Sequence, residues 1–313
     1  MRSIKESIKA EAEKLGFCLC GFTDAAPLTD FERYVNWLEA DGIGTMAYLK
    51  REDTLAKRAD PRLLLPDART IIVLAVPMGL QDPRPVYEVA SYAHYIDYHE
   101  AILSMAEVLV SRIRSLCGAD LSYRICVDSS PILERSLAVR AGLGWIGKSS
   151  MFVAPRYGSA LFLCEILTDL ELPPDPPYTR DGCGSCRRCV DSCPNRCIDP
   201  ESRTIRADRC AAYLTIEHKG EFSEEQVSLV GIHLFGCDEC LRTCPHNSRN
   251  SGTSPIPEAH AIPDPADAEL SEAEFKAKFH DSPVLRTKAK GLKRNAEAVR
   301  KNLIGNKTET GSV

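Results

Sequence analysis

Cys183, Cys186, Cys189 and Cys193, followed by Pro194, spell C-x2-C-x2-C-x3-C-P. This run holds [4Fe–4S] clusters, and in two-cluster ferredoxins its fourth cysteine ligates the other cluster. Two-residue spacing lets three thiolates converge on one cuboid face while backbone N–H groups point at the sulfides. The proline then turns the chain, so the last thiolate faces elsewhere. A second, incomplete copy follows in Cys237, Cys240 and Cys244 with Pro245, and Cys210 is the candidate for its missing ligand. The ligand arithmetic closes on two clusters, one taking Cys183, Cys186, Cys189 and Cys244, the other Cys193, Cys210, Cys237 and Cys240. A pair of four-cysteine zinc sites also uses C-x2-C pairs. The unbroken run and the reciprocal C-P favour iron–sulfur chemistry instead. Cys197 is surplus to the count and reads as a small buried residue, while Cys18, Cys20, Cys117, Cys126 and Cys164 sit in apolar segments and read as core.

Elements ahead of the cysteines must give those clusters something to reduce. Ile4, Ile8, Ala12 and Leu15 recur at helical spacing, which predicts an amphipathic opening helix. TIIVLAV (70–76), stopped by Pro77, predicts a buried strand, and LSYRICV (121–127) and ALFLCEIL (160–167) predict two more. His99–Leu116 has helical periodicity; a further helix is expected from Pro131 to about Ala141, with Ser130 as its N-cap and Gly142 as its stop. Strands alternating with helices predict an N-terminal α/β domain. ELPPDPPYTR (171–180) reads as a stiff linker, and residues 248–269, rich in Ser, Pro and Asp, as a second one. The expected class is therefore α+β and multidomain: residues 1–175 as the α/β domain, 176–250 as a ferredoxin-like domain, and 251–313 as a linker and basic helical segment. Residues 286–307 carry eight lysines and arginines against the single acid Glu297.

Composition bounds the function. The chain has 313 residues, 44% hydrophobic and 27% charged, so it can bury a real core. A net charge of -5 disfavours a whole-surface nucleic-acid binder but leaves room for a local basic patch. No apolar run is long enough to span a bilayer. The opening MRSIKESIKAEAEKLG lacks the apolar stretch of a signal peptide, and Arg2 stands alone rather than in a twin-arginine signal, so a cytoplasmic protein is expected. There, 14 cysteines point to metal ligation rather than disulfides.

Four stretches carry a resemblance: CVDSSPILERSLAVRAGLGWIGK (126–148), the cysteine run, CAAYLTIEHKG (210–220) and FGCDECLRTCP (235–245). Together they resemble epoxyqueuosine reductase, over the chain from its start to about residue 302. The resemblance implies a cobalamin held base-off between the N-terminal and ferredoxin-like domains, with one cluster placed to reduce its cobalt. It implies as substrate the epoxycyclopentane at wobble position 34 of tRNA with a GUN anticodon. Removing that oxygen as water, leaving an alkene, takes two electrons and two protons, and an acid must protonate the departing oxygen.

Asp128, at the end of a predicted strand, matches the family's aspartate proton donor; from position alone it would equally cap a helix. By the same resemblance Arg51, Tyr92, Asp128, Lys148, His218, Lys219 and Asp238 contact the cobalamin, with His218 and Lys219 open to tRNA as well. Asp97, Tyr98 and His99 belong to a YA-x3-DYH motif that would line the same pocket. Ala212 stands where the family often has serine, which puts one polar contact in doubt. Longer members continue into a helical-repeat domain that grips tRNA, whereas this chain stops at 313. The SPVLRTKAKGLKRN stretch (282–295), with Lys288, Lys290, Lys293 and Arg294, is expected to bind phosphates in its place, unless it is a solvated basic tail. A tRNA-modifying reductase, fed by an external electron donor and acting as a monomer, is the leading reading. The alternatives are a cobalamin-dependent reductase of a small molecule, such as a reductive dehalogenase, and an electron-transfer ferredoxin with an α/β appendage.

Overall fold

The computed structural model describes residues 3–40, 42–84, 86–247 and 253–309, without the side chains of 306–309, so the Lys307 side chain lies outside it. The N-terminal half runs α1 (Ile4–Lys14), β1 (Leu19–Asp24), α2 (Phe31–Glu39), α3 (Glu52–Ala59), β2 (Thr70–Pro77), β3 (Glu88–Val89), α4 (Tyr98–Cys117), β4 (Tyr123–Cys126), α5 (Glu134–Arg140), β5 (Trp145–Ile146), β6 (Phe152–Val153) and β7 (Leu161–Thr168). The cysteine-bearing half follows as α6 (Arg188–Asp191), β8 (Ile198–Asp199), β9 (Thr204–Ile205), α7 (Ala211–Ile216), α8 (Glu224–Val230), β10 (His233–Phe235), α9 (Glu239–Arg242), α10 (Glu272–Lys278) and α11 (Lys288–Glu309).

Four strands form the main sheet in the order β1-β2-β7-β4, and every neighbouring pair is antiparallel. Helices and strands alternate along the chain as expected, but no crossover here returns a parallel neighbour. β2 is buried at every position, as its unbroken apolar run requires. Its side chains alternate between two cores. Ile72, Leu74 and Val76 pack with Ile8 and Ala12 of α1 and with Ile102, Ala106 and Leu109 of α4. Ile71 and Val73 pack on the other face with Leu137 and Ala138 of α5. α4 begins where the Asp97 carboxylate accepts the His99 N–H at 3.0 Å and ends at Gly118, whose φ of 64 suits a residue without a Cβ.

Two local expectations shift. β1 was not legible, because its LCGFTD sequence carries a glycine that makes room for the Ala141 carbonyl and Leu143. The helix expected from Pro131 starts at Glu134 instead, with Leu133 rather than Ser130 as its N-cap. Residues 128–132 are bent, beginning with Asp128 at φ 47.

The segment read as a stiff linker is stitched down. Its Asp175 N–H donates to the Phe22 carbonyl at 2.8 Å, and its carboxylate pairs with Lys5 at 2.5 Å. The two halves also share a seam: β10 pairs in parallel with β3, and buried Glu88 meets Arg242 at 2.9 Å. The basic C-terminal helix is part of this body. Leu292 and Ala296 of α11 enter one core with Leu234, Phe235 and Phe275, and Ala298 and Val299 enter another with Leu214 and Val230.

Candidate active site

Between the two halves lies a cavity of about 1110 Å³. That exceeds the roughly 300–1,000 Å³ of an ordinary small-molecule pocket. One wall comes from α2 and the loops around α3 (Tyr34, Trp37, Tyr48, Arg51, Arg58), another from Tyr92, Tyr98, His99 and the bend 128–136. The cysteine-bearing half closes it with Arg203, Cys210, Tyr213, Glu217 and Arg286. Aromatic faces and guanidinium groups therefore dominate the lining.

Asp128 stands on this wall at the centre of a charge network. Its Oδ2 accepts the Tyr98 hydroxyl at 2.9 Å and meets His99 Nε2 at 3.1 Å. The other ring nitrogen, Nδ1, meets Asp97 Oδ1 at 2.7 Å. Burial opposes charge on the imidazole, but its bonds to Asp128 and Asp97 outweigh that and hold its pKa up at about 9. Burial pushes Asp128 the other way, yet the His99 and Tyr98 hydrogen bonds leave its pKa lowered. At neutral pH the pair is thus an imidazolium beside a carboxylate, with the mobile proton on His99. The Asp128 N–H donates to Glu134 Oε1 at 2.7 Å, which fastens the backbone at its positive φ.

The cavity gathers some of the expected residues and not others. Arg51, Tyr92 and Asp128 line it, and so do Asp97, Tyr98, His99 and Ala212. Lys148 does not: its ammonium donates to the carbonyls of Gly184 (2.7 Å) and Cys186 (3.0 Å), bracing the loop of the first cysteine run. His218 is off the wall, stacked on Phe222 at 5.3 Å, and Lys219 is an exposed charge. Asp238 is buried, and its Oδ2 accepts both the N–H and the hydroxyl of Ser91 at 2.6 Å. It fixes the seam instead of facing the cavity. Sequence reasoning missed Glu134, Arg135, Arg203, Glu217 and Arg286, which reach the site from scattered segments. Arg286 was visible only as one of a run of bases; here it pairs with Glu217 at 3.0 Å.

The cysteines of the two motifs lie near enough to affect one another. Cys189, its pKa raised by burial, is raised further by the charges of Cys183, Cys244 and Cys186. Cys240, partly buried, is raised by burial and then by Cys237 and Cys210, and Cys210 in turn feels Cys193. Cys240 also feels Cys189, so thiols of both motifs act on one another, and soft thiolates brought together from reciprocal C-P motifs suit [4Fe–4S] cubanes. Among the described residues no three such ligands converge on the position of a single ion. Cys197 is buried as expected, with its Sγ 3.5 Å from that of Cys193.

Of the bases expected to meet tRNA, Lys288, Lys290 and Lys293 are exposed on α11. Arg294 is a correction. It is 8% exposed, and its guanidinium donates to the carbonyls of Leu214 (3.0 Å), His218 (2.8 Å) and Gly220 (3.0 Å). Such a group clasps the loop after α7 and has no donor face left for a phosphate.

Two family profiles match the chain. Residues 58–129 match "Epoxyqueuosine reductase QueG, DUF1730", and residues 182–247 match a "4Fe-4S double cluster binding domain". Among curated proteins, the epoxyqueuosine reductase of Cellulophaga algicola is 36% identical over 298 residues, covering 93% of this chain and 96% of that one. Among solved structures, an epoxyqueuosine reductase crystallised with an epoxyqueuosine-modified tRNA-Tyr stem loop superposes with a TM-score of 0.82 at 27% identity, over 96% of this chain and 81% of that one. The Bacillus subtilis epoxyqueuosine reductase, in a form whose aspartate-bearing catalytic loop is swung out of the active site, matches with a TM-score of 0.83 at 27% identity, over 96% and 82% of the two chains.

Proposed function

The chain belongs to the epoxyqueuosine reductase family, and on that footing we propose that its cavity is where epoxyqueuosine at position 34 of tRNA is reduced to queuosine. The observation that carries this is the joint placement, on one cavity, of the Asp128–His99 pair and of Cys210, the thiol expected to complete the second cluster. An acid and an electron entry therefore share a space too large for an ordinary metabolite. This family placement leaves no separate support for the small-molecule or simple electron-carrier readings.

The lining also fits cobalamin. A corrin is a broad apolar macrocycle edged with amides and carrying a phosphate, and the wall offers aromatic faces (Tyr34, Trp37, Tyr92, Tyr213) with Arg51, Arg58 and Arg203 among them. When bound, the two [4Fe–4S] clusters and the cobalamin supply the two electrons of the reduction from an external donor.

The chain's own residues handle the oxygen. Reduction of the epoxide breaks two C–O bonds, forms one C=C bond and releases water, consuming two electrons and two protons. The His99 proton passes to the cavity through Asp128, so the opened ring carries a hydroxyl rather than an alkoxide before the oxygen departs as water. Tyr98, donating to the same carboxylate oxygen, fixes its orientation, and Asp97 keeps His99 protonated. Arg286, exposed at the rim, and Lys288, Lys290 and Lys293 on α11 supply positive charge for the tRNA backbone. The enzyme acts as a single copy in the cytoplasm on tRNA with a GUN anticodon; among the described residues no helix is long and apolar enough to cross a membrane.

The test is an anaerobic single turnover of reconstituted protein with cobalamin, a low-potential reductant and epoxyqueuosine-bearing tRNA, read by nucleoside mass. Loss of one oxygen is the expected result. No conversion by protein carrying both clusters and cobalamin would overturn the reading.

A further inference from the structure

One group in the core has no role in the mechanism above. Glu165, in the middle of β7, is 0% exposed, and neither of its carboxyl oxygens has a hydrogen-bond partner. It sits opposite Val73 of β2 and Cys126 of β4, on the sheet face that α5 covers. The first residue of α5 is Glu134, which lines the cavity and accepts the Asp128 N–H. Glu134 thus meets the backbone of Asp128, and Glu165 lies on the sheet face beneath the helix that Glu134 opens.

We propose that Glu134 and Glu165 form a proton store: they hold a proton behind Asp128, and Glu134 returns it to the Asp128–His99 pair once that pair has protonated the departing oxygen. This rests on the reduction proposed above, which consumes two protons where the His99 imidazolium holds one. The first proton opens the ring at one C–O bond. The second lets the oxygen leave as water while the two electrons from the external donor complete the C=C bond. Glu134 is left ionised and is recharged from solvent.

The surroundings favour a stored proton. A buried carboxylate with no partner is costly enough that the group takes up a proton instead. Burial pushes Glu165 well above the usual carboxylate range, and the Glu134 charge adds to it. Burial raises Glu134 too, and Asp128 raises it further, against smaller opposing effects of its own bond to Asp128, of Arg135 and of His99. On that face the Cys126 thiol, directly opposite Glu165, is held neutral by burial, and so is its strand neighbour Cys164 on the other face. Glu134 acts through Asp128, so it is a positioning residue with a transferable proton.

Infrared spectroscopy of the protein at neutral pH tests the store without turnover. A protonated-carboxyl C=O stretch is expected, diminished in both Glu165→Gln and Glu134→Gln; absence of the band from the unaltered protein would overturn the proposal. The second arm is single-turnover rate against pH. Glu134→Gln keeps a carbonyl for the Asp128 N–H, so Asp128 stays placed. Its rate should fall roughly tenfold to a hundredfold at neutral pH and recover as the pH is lowered. A loss uniform across pH means that Glu134 only positions Asp128, and an unchanged rate means that it does neither; each sinks the store. An unaltered protein that shows the band but never converts epoxyqueuosine would overturn the proposed reaction, a failure distinct from absence of the store.

Discussion

Nε2 of His99 stands 3.1 Å from Oδ2 of Asp128, while Nδ1 of the same ring stands 2.7 Å from Asp97. A ring held between two carboxylates is a base that has already taken its proton, so the acid of this site is the pair and not the aspartate alone.

Asp128→Asn should therefore keep the fold, both clusters and the cofactor, yet lower turnover by about 10²–10⁴-fold. It should also lower the His99 pKa, which NMR titration would read. Normal turnover would remove Asp128 from the acid role.

The His99 charge gives the pH dependence a sign. The folded pKa of about 9 lies above the ordinary 6.5. Its stabilisation is thus fully present below about 6.5 and is lost as the pH rises through about 9. Thermal melts should decline over that window, and His99→Gln should flatten the decline. Turnover should fall on the same alkaline limb.

Cys210→Ala should remove one cluster, so iron should drop from about eight to about four per chain. Retention of eight would break the assignment of Cys210 to the second cluster. Lys148→Ala should instead leave the iron count unchanged and loosen the first cluster, read as faster loss to a chelator, because Lys148 braces the loop carbonyls and not a thiolate.

Lys293→Glu with Lys290→Glu should weaken tRNA binding, more strongly at low salt, with stability within about 0.5 kcal/mol of the parent. Arg294→Ala should do the reverse. The buried Leu214 carbonyl and the half-buried carbonyls of His218 and Gly220 lose their donor, at about 1–3 kcal/mol, and the melting temperature falls. Equal effects from the two changes would mean that the burial of Arg294 is not what distinguishes them.

Those two residues also mark where the sequence stops being informative. Lys293 and Arg294 are adjacent bases in one basic run, and only the packing of α11 decides which one is enclosed. Asp238 misled for a similar reason: an acid between two ligands looks the same whether it faces a cofactor or Ser91. The double-cluster segment was readable because ligand chemistry is encoded in spacing, and β2 because eight enclosed positions need an unbroken apolar run. Glu165 was read through, as one letter inside an apolar strand. The cavity rim, drawn from residues as far apart as Tyr34 and Arg286, has no local signature at all.

The pairing of β3 with β10 joins Glu88 to His233. A ribosome adding about 5–20 residues per second delivers the later strand on the order of ten seconds after the earlier one. Until then the β3 edge is bonded only to water, and the cavity lacks the wall that carries Cys210 and Tyr213. Translation itself thus imposes an order of assembly: the N-terminal sheet can fold first, and the chamber closes only near the end of synthesis.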